Sequence, residues 1–236
     1  IALSFPLFVD TVTRESAKFS LVPIFVQYRT ERPEQYHRFV SGLLNAALVG
    51  GLGLVVIAGA AAPWIVRAIG PGLTAEGTAQ ATRLLWACGP LLVFAPIITV
   101  QGVVLNSEKK FSRVALRNAI APGVVALTLL ATWNRSDVAV WAAGAYSAGF
   151  ATYFAILAIG IRRKAELTYV WSAWPTVEDI QEIRSALSWP SMGFAVRQIT
   201  RLLERAIASL VAVGGVSAYY FAFRIFSGVQ TIIGTS

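Results

Sequence analysis

The sequence predicts an all-α fold, a polytopic helical membrane protein with about seven transmembrane segments. Three observations predict it. Of the 236 residues, 56% are hydrophobic and only 14% charged, with a mean hydropathy of +0.63, whereas soluble domains carry roughly 25% charged residues. Charge-free runs are long: 28 residues separate Arg38 from Arg67, 24 separate Arg83 from Glu108, and 24 separate Asp137 from Arg162. A helix needs about 20 apolar residues to cross the hydrocarbon core. Finally, the basic residues between the runs alternate in number, as the positive-inside rule requires.

The segments fall at about 3–28, 40–68, 84–105, 115–133, 138–161, 188–212 and 216–236. Connections 29–38, 108–117 and 162–187 together hold eleven Lys and Arg; the intervening ones hold three, Arg67, Arg83 and Arg135. This bias puts the basic connections in the cytoplasm and sends segment 1 from outside to inside. It also accounts for the net charge of +8 without nucleic acid as a partner. The expected location is a cytoplasmic membrane, with membrane lipids as surroundings. The opening "IALSFPLF" has no Met and no basic n-region, so it is not a signal peptide and reads as the interior of a longer protein.

Residues 1–161 form a first group of five spans. Residues 162–187 are a cytoplasmic amphipathic connector, in which Thr176 is placed to cap a short helix with acidic residues in its first turn. Residues 188–236 begin a second lobe with two spans. Pro6, Pro23, Pro63, Pro90, Pro96, Pro122 and Pro190 lie in or at the ends of spans. They fit either broken helices around a transport site or the ordinary frequency of proline in membrane helices. The glycines of "VGGLGLVV" and "VGGVSA" suit close helix packing.

Several chemistries are excluded or weak. Cys88 is alone in an apolar span and His37 is the only histidine. That leaves no disulfide framework, thiolate or His-based metal site, or catalytic triad. No phosphate-binding G-x-x-x-x-G-K-[ST] loop is present, and no carboxylate pair suggests hydrolysis. The sequence reads as a non-enzyme without a certain cofactor.

Charges inside spans carry the functional signal. Arg197, Arg201, Glu204 and Arg205 fall within an arc of about 100° on segment 6. Asp10, Arg14 and Lys18 form a stripe at i, i+4, i+8 on segment 1 beside Glu15, and Arg224 lies in segment 7. A charge facing lipid costs roughly 2.5–3.5 kcal/mol at mid-depth, so these faces look at protein or a water-filled cavity. One reading is an internal ion-pair network, with Glu204 on Arg201 or Arg197 and Asp10 on Arg14. The preferred reading takes the surplus guanidinium groups as a site for a polyoxygen anion, a phosphate or pyrophosphate.

"LVPIFVQYR" (21–29), "GVVLNSEKKFSRVAL" (102–116) and "ERAIASLVAVGGVSAYYFAFRI" (204–225) resemble the MviN/MurJ-type lipid II flippases, within the multidrug/oligosaccharidyl-lipid/polysaccharide exporter superfamily. The resemblance implies about fourteen helices in two lobes around a cationic cavity, of which this chain would cover the second to the eighth. It implies alternating-access translocation of a polyprenyl-pyrophosphate-linked precursor. Arg224 matches a cavity arginine of the family, joined here by Arg201, Arg197, Arg205 and Arg14 as substrate-binding candidates. Glu204 matches a position associated with sodium, making Na+ the candidate coupling ion, with Asp10 and Glu15 as further coupling or counter-charge residues. Asp10 and Thr11 stand where the family places paired arginines, Phe223 where an acid often precedes the Arg224 position, and Ser227 at a later glutamate position. The alternatives are a flippase for another oligosaccharide-lipid and a non-transporting membrane scaffold.

Overall fold

The computed structural model describes residues 1–164, 167–211 and 214–234, among which no strand occurs. The helices are α1 Ser4–Glu31, α2 Pro33–Ala60, α3 Ala62–Ile69, α4 Ala75–Ala87, α5 Pro90–Ser107, α6 Phe111–Ala115, α7 Arg117–Thr132, α8 Val138–Lys164, α9 Val177–Val211 and α10 Gly215–Gly234.

The bundle is organised around α5, which packs on α1, α2 and α8. An α-helix apolar on every side has no solvent face to offer and is buried. Accordingly Leu91, Leu92, Ala95, Ile98, Val104 and Leu105 of α5 are all buried. All of these but Leu92 join Phe25 and Tyr28 of α1, Phe39 and Val40 of α2, and Phe150, Tyr153 and Leu157 of α8 in one core. Helix α7 packs on α8 and adds Ala121 to this core, with Gly149 of α8 directly against the Cα of Ala121. In the same way Gly51 of α2 lets α5 approach at Val93, while Gly50 and Gly53 face open space. The expected packing role therefore holds for one glycine of "VGGLGLVV". In "VGGVSA" the two glycines differ: Gly214, at φ +86, makes the turn before α10, and Gly215 packs closely on α9, where an added Cβ would collide with the Ala208 carbonyl oxygen.

Four described helical stretches are long and apolar enough to cross a membrane: Pro33–Ala60, Pro90–Ser107, Phe111–Thr132 and Val138–Arg162. Seven were expected. The shortfall includes α1 and α9, whose apolar stretches are interrupted by Asp10, Arg14, Glu15 and Lys18 in one and by Arg197, Arg201, Glu204 and Arg205 in the other. The span expected over 40–68 ends at Ala60, where the chain turns into α3. With α4, α3 forms a hairpin around Ala62, Val66, Ala81 and Leu85, and the next long apolar helix starts at Pro90 rather than at 84. Pro23, Pro96, Pro122 and Pro190 lie inside continuous helices, so none of them breaks its helix.

The connector is pinned to α2. Asn45 Nδ2 donates to the Ala173 and Trp171 carbonyls at 2.8 and 3.1 Å, and the Val170 N–H donates to Ser41 Oγ at 3.0 Å. Thr176 then caps α9 as its sequence position predicts. The Asp179 N–H donates to Thr176 Oγ1 at 3.1 Å and the Thr176 N–H donates back to Asp179 Oδ2 at 2.8 Å, a reciprocal capping box. The capped helix is not short, however: α9 runs unbroken for 35 residues, so the end of the connector and the sixth segment are one element.

Candidate functional site

The stripe on α1 turns toward α5, α7 and α8. Asp10 is buried and forms an ion pair with Arg117, the first residue of α7. The Arg117 guanidinium also lies 5.1 Å from the Phe150 ring centre of α8, a cation–π arrangement favoured where water is scarce. Arg14 pairs with Glu15 beside it, and its Nε is buried without a hydrogen-bond partner. A cavity of about 260 Å³ opens here, lined by Arg14, Lys18, Asn106, Arg117, Asn118 and Tyr153 among others.

The cluster on α9 is placed differently. Phe194 of α9 stacks on Phe19 of α1 with ring centres 6.1 Å apart, and Arg205 Nη1 donates to Ser4 Oγ at 2.7 Å. Arg197 lies 5.8 Å from the Phe194 ring centre and Arg201 5.9 Å from that of Phe223 on α10. Arg201 also donates to Gln198 Oε1 at 3.5 Å. Arg224 Nη1 donates to Tyr220 Oη at 3.0 Å. Glu204 accepts a hydrogen bond from the Tyr219 hydroxyl. Among the described residues no carboxylate lies within ion-pair distance of Arg197, Arg201, Arg205 or Arg224.

The structure therefore brings Arg205 to α1 and Glu204, Arg201 and Arg224 to the α9–α10 pair. No described contact joins Arg14 to the α9 arginines. The pairings read as possible within single helices are replaced by others: Asp10 takes Arg117 instead of Arg14, Arg14 takes Glu15, and Glu204 takes Tyr219. Proximity across helices decides the first and the last, since Arg117 arrives from α7 at Asp10 and Tyr219 from α10 at Glu204, whereas Arg14 and Glu15 are neighbours on α1.

Sequence reasoning missed Arg117, counting it as a connection charge although it opens an apolar segment. It also missed Glu108, whose side chain is 1% exposed between Arg29, at 3.7 Å, and Lys110. An acid directly before Lys109, Lys110 and Arg113 was the available signal.

Comparison with known proteins agrees with this architecture. A profile of the family described as "Lipid II flippase MurJ" matches residues 1–236. A "Probable lipid II flippase MurJ" from Haemophilus influenzae is 26% identical over 221 residues, covering 87% of this chain and 42% of that protein. A "Lipid II flippase MurJ" from Burkholderia cenocepacia is 21% identical over 248 residues, covering all of this chain and 47% of its own length. The solved structure "Lipid II flippase MurJ, inward closed conformation" superposes with a TM-score of 0.84 at 19% identity, over 100% of this chain and 49% of that one. The chain thus spans about half the length of the curated relatives it matches. With its apolar helices and a profile match from end to end, it is a multi-pass inner-membrane chain belonging to the lipid II flippase MurJ family.

Proposed function

We propose that the full-length protein translocates a lipid II-like peptidoglycan precursor, a polyprenyl-pyrophosphate carrying a saccharide headgroup, across the cytoplasmic membrane by alternating access. The observation that carries this reading is the uncompensated charge on α9 and α10. Arg197, Arg201, Arg205 and Arg224 lie among apolar residues, and none has a carboxylate within ion-pair distance among the described residues. A guanidinium offers a planar fork of donors matched to phosphate oxygens, and in a site of low dielectric that attraction is stronger than in water. Family membership supplies the substrate class.

In this reading the pyrophosphate is held by Arg224, Arg201, Arg197 and Arg205, with Arg14 contributing from α1, while the polyprenyl tail remains in the bilayer. Rocking of two lobes about that site exposes it to each side in turn. Aromatic rings beside Arg197 and Arg201 and the Tyr220 hydroxyl beside Arg224 hold the guanidinium groups without neutralising them, leaving their charge for the substrate. Glu204 acts as a counter-charge or as a ligand for sodium, the coupling ion of the proposal; Asp10 and Glu15 balance Arg117 and Arg14.

The test is complementation of a flippase-depleted strain with the full-length gene carrying Arg224→Ala. Loss of growth at normal protein level is expected. Growth equal to wild type overturns the role assigned to Arg224.

A further inference from the structure

The hairpin of α3 and α4 is unused by the reading above. Between its arms is a cavity of about 780 Å³ whose lining includes Arg67, Pro71, Thr78, Thr82, Arg83 and Trp86. Its floor is firm, because Ala62 and Val66 pack on Ala81 and Leu85 beneath it. The turn between the two helices rests on α9: the Gly72 N–H donates to Ser209 Oγ at 3.3 Å.

The charges of this cavity are not explained by topology. The hairpin follows α2 at the end of the bundle opposite the basic connections, where three cations stand against eleven at the other end. Cations there work against the orientation signal, yet two of the three, Arg67 and Arg83, line this one cavity. They are not neutralised within the protein either. Among the described residues no carboxylate lies within ion-pair distance of either, Glu76 of the same hairpin included. The neighbouring hydroxyls are already committed, since Thr78 Oγ1 donates to the Thr74 carbonyl at 3.0 Å and Thr82 Oγ1 to that of Thr78 at 2.8 Å. The free donors are therefore the two guanidinium groups, whose N–H forks match phosphoryl oxygens.

The depth of the site selects among phosphates. Trp64 is 72% and Trp86 60% exposed on this hairpin, and exposed tryptophans concentrate at the level of lipid headgroups. Trp86 Nε1 donates to the Gly59 carbonyl at 3.3 Å, fixing its indole as a wall of the cavity. We propose that the α3–α4 cavity binds a phosphate group through Arg67 and Arg83, and that the source is an anionic phospholipid of the leaflet opposite the basic connections. This is a site separate from the arginines of α9 and α10, and it stands whether or not those carry a substrate.

The experiment is native mass spectrometry of the purified full-length protein equilibrated with equal phosphatidylglycerol and phosphatidylcholine. Wild type should retain phosphatidylglycerol in preference. Because a cation near the headgroups contributes about 1 kcal/mol of attraction, R67Q/R83Q should lower that preference by about tenfold or more. R67K/R83K should keep part of it, and R135Q, which removes the third cation of that end, should leave it unchanged. An equal preference in wild type and R67Q/R83Q overturns the proposal. Millimolar inorganic phosphate should not displace the lipid; displacement would overturn the lipid as the source. Thermal midpoints of all variants close to wild type are expected, since both arginines are exposed; if R67Q/R83Q fails to fold, the single variants R67Q and R83Q decide by the same criterion.

Discussion

Asp10 and Arg117 show how a charge within a span is made tolerable. Asp10 sits on α1 where only apolar or polar uncharged neighbours precede it, and its carboxylate meets the guanidinium that begins α7. Removing one partner of a buried pair leaves an uncompensated charge, which costs roughly 3 kcal/mol. Asp10→Ala and Arg117→Ala should therefore each lower the thermal midpoint of the full-length protein clearly, and the double variant should lose much less than the sum of the two. Strict additivity would show that the two side chains are not coupled. Asp10 was visible in the sequence because a charge in an apolar run stands out, whereas Arg117 counts with the connection before α7. Their pairing was not visible, because spacing reports only neighbours on one helix. Asp10 and Arg117 are separated by more than a hundred positions, and what joins them is the packing of α1 and α7 around α5 and α8.

Helix α9 illustrates what an element's start can tell and what it hides. Thr176 and Asp179 cap each other's N–H groups, and Asp179 also accepts from the Tyr28 hydroxyl of α1 at 2.6 Å. Burial alone would raise the Asp179 carboxyl. The bonds donated by Tyr28 and by Thr176, with Arg32 nearby, outweigh it and hold the carboxyl below its ordinary value. A carboxylate that resists protonation more in the folded than in the unfolded chain stabilises the fold above the ordinary carboxylate value and ceases to do so as acid protonates it. Asp179→Asn should thus lower the thermal midpoint at pH 7, and the gap from wild type should close below about pH 4. An equal gap at pH 7 and pH 3 would contradict the assignment.

The cap was legible because Thr followed by acids is a local pattern. The continuation of α9 to Val211 was not, since Trp189 and Pro190 read locally as an entry to a new span. Close crossings are a second feature of elements. At Gly51 an added Cβ would lie 2.8 Å from the Val93 Cα, whereas at Gly53 nothing lies within 4 Å. Overfilling a packed contact costs about 1–3 kcal/mol, so Gly51→Leu should destabilise by that order and Gly53→Leu should not. Thermal unfolding of the two variants in detergent checks it, and similar midpoints would remove the crossing from the account.

For the molecule as a whole, class and membrane character followed from composition and charge-free runs, because insertion in lipid constrains every residue of a span. The hairpin of α3 and α4 did not follow. Its helices are short, and residues 46–66 carry no charged or hydrogen-bonding side chain apart from Trp64 across the turn at Ala61. The candidate site was legible as a list of charged residues and illegible as an arrangement, which is why Arg117 was assigned to a connection and Arg14 was grouped with α9. What the fold adds is a division of the charges into two sets. Asp10, Arg14, Glu15 and Arg117 largely neutralise one another, whereas the arginines of α9 and α10 lie on aromatic rings and hydroxyls with their charge unspent.

A transporter built this way should move a lipid whose headgroup carries the compensating negative charge. Reconstitution of the full-length protein into vesicles loaded with a fluorescent polyprenyl-pyrophosphate-linked saccharide measures that movement directly. With wild-type protein the label should become accessible to an external quencher faster than in protein-free vesicles, and Arg224→Ala should slow it. Exposure at the protein-free rate by the folded wild-type protein would contradict it.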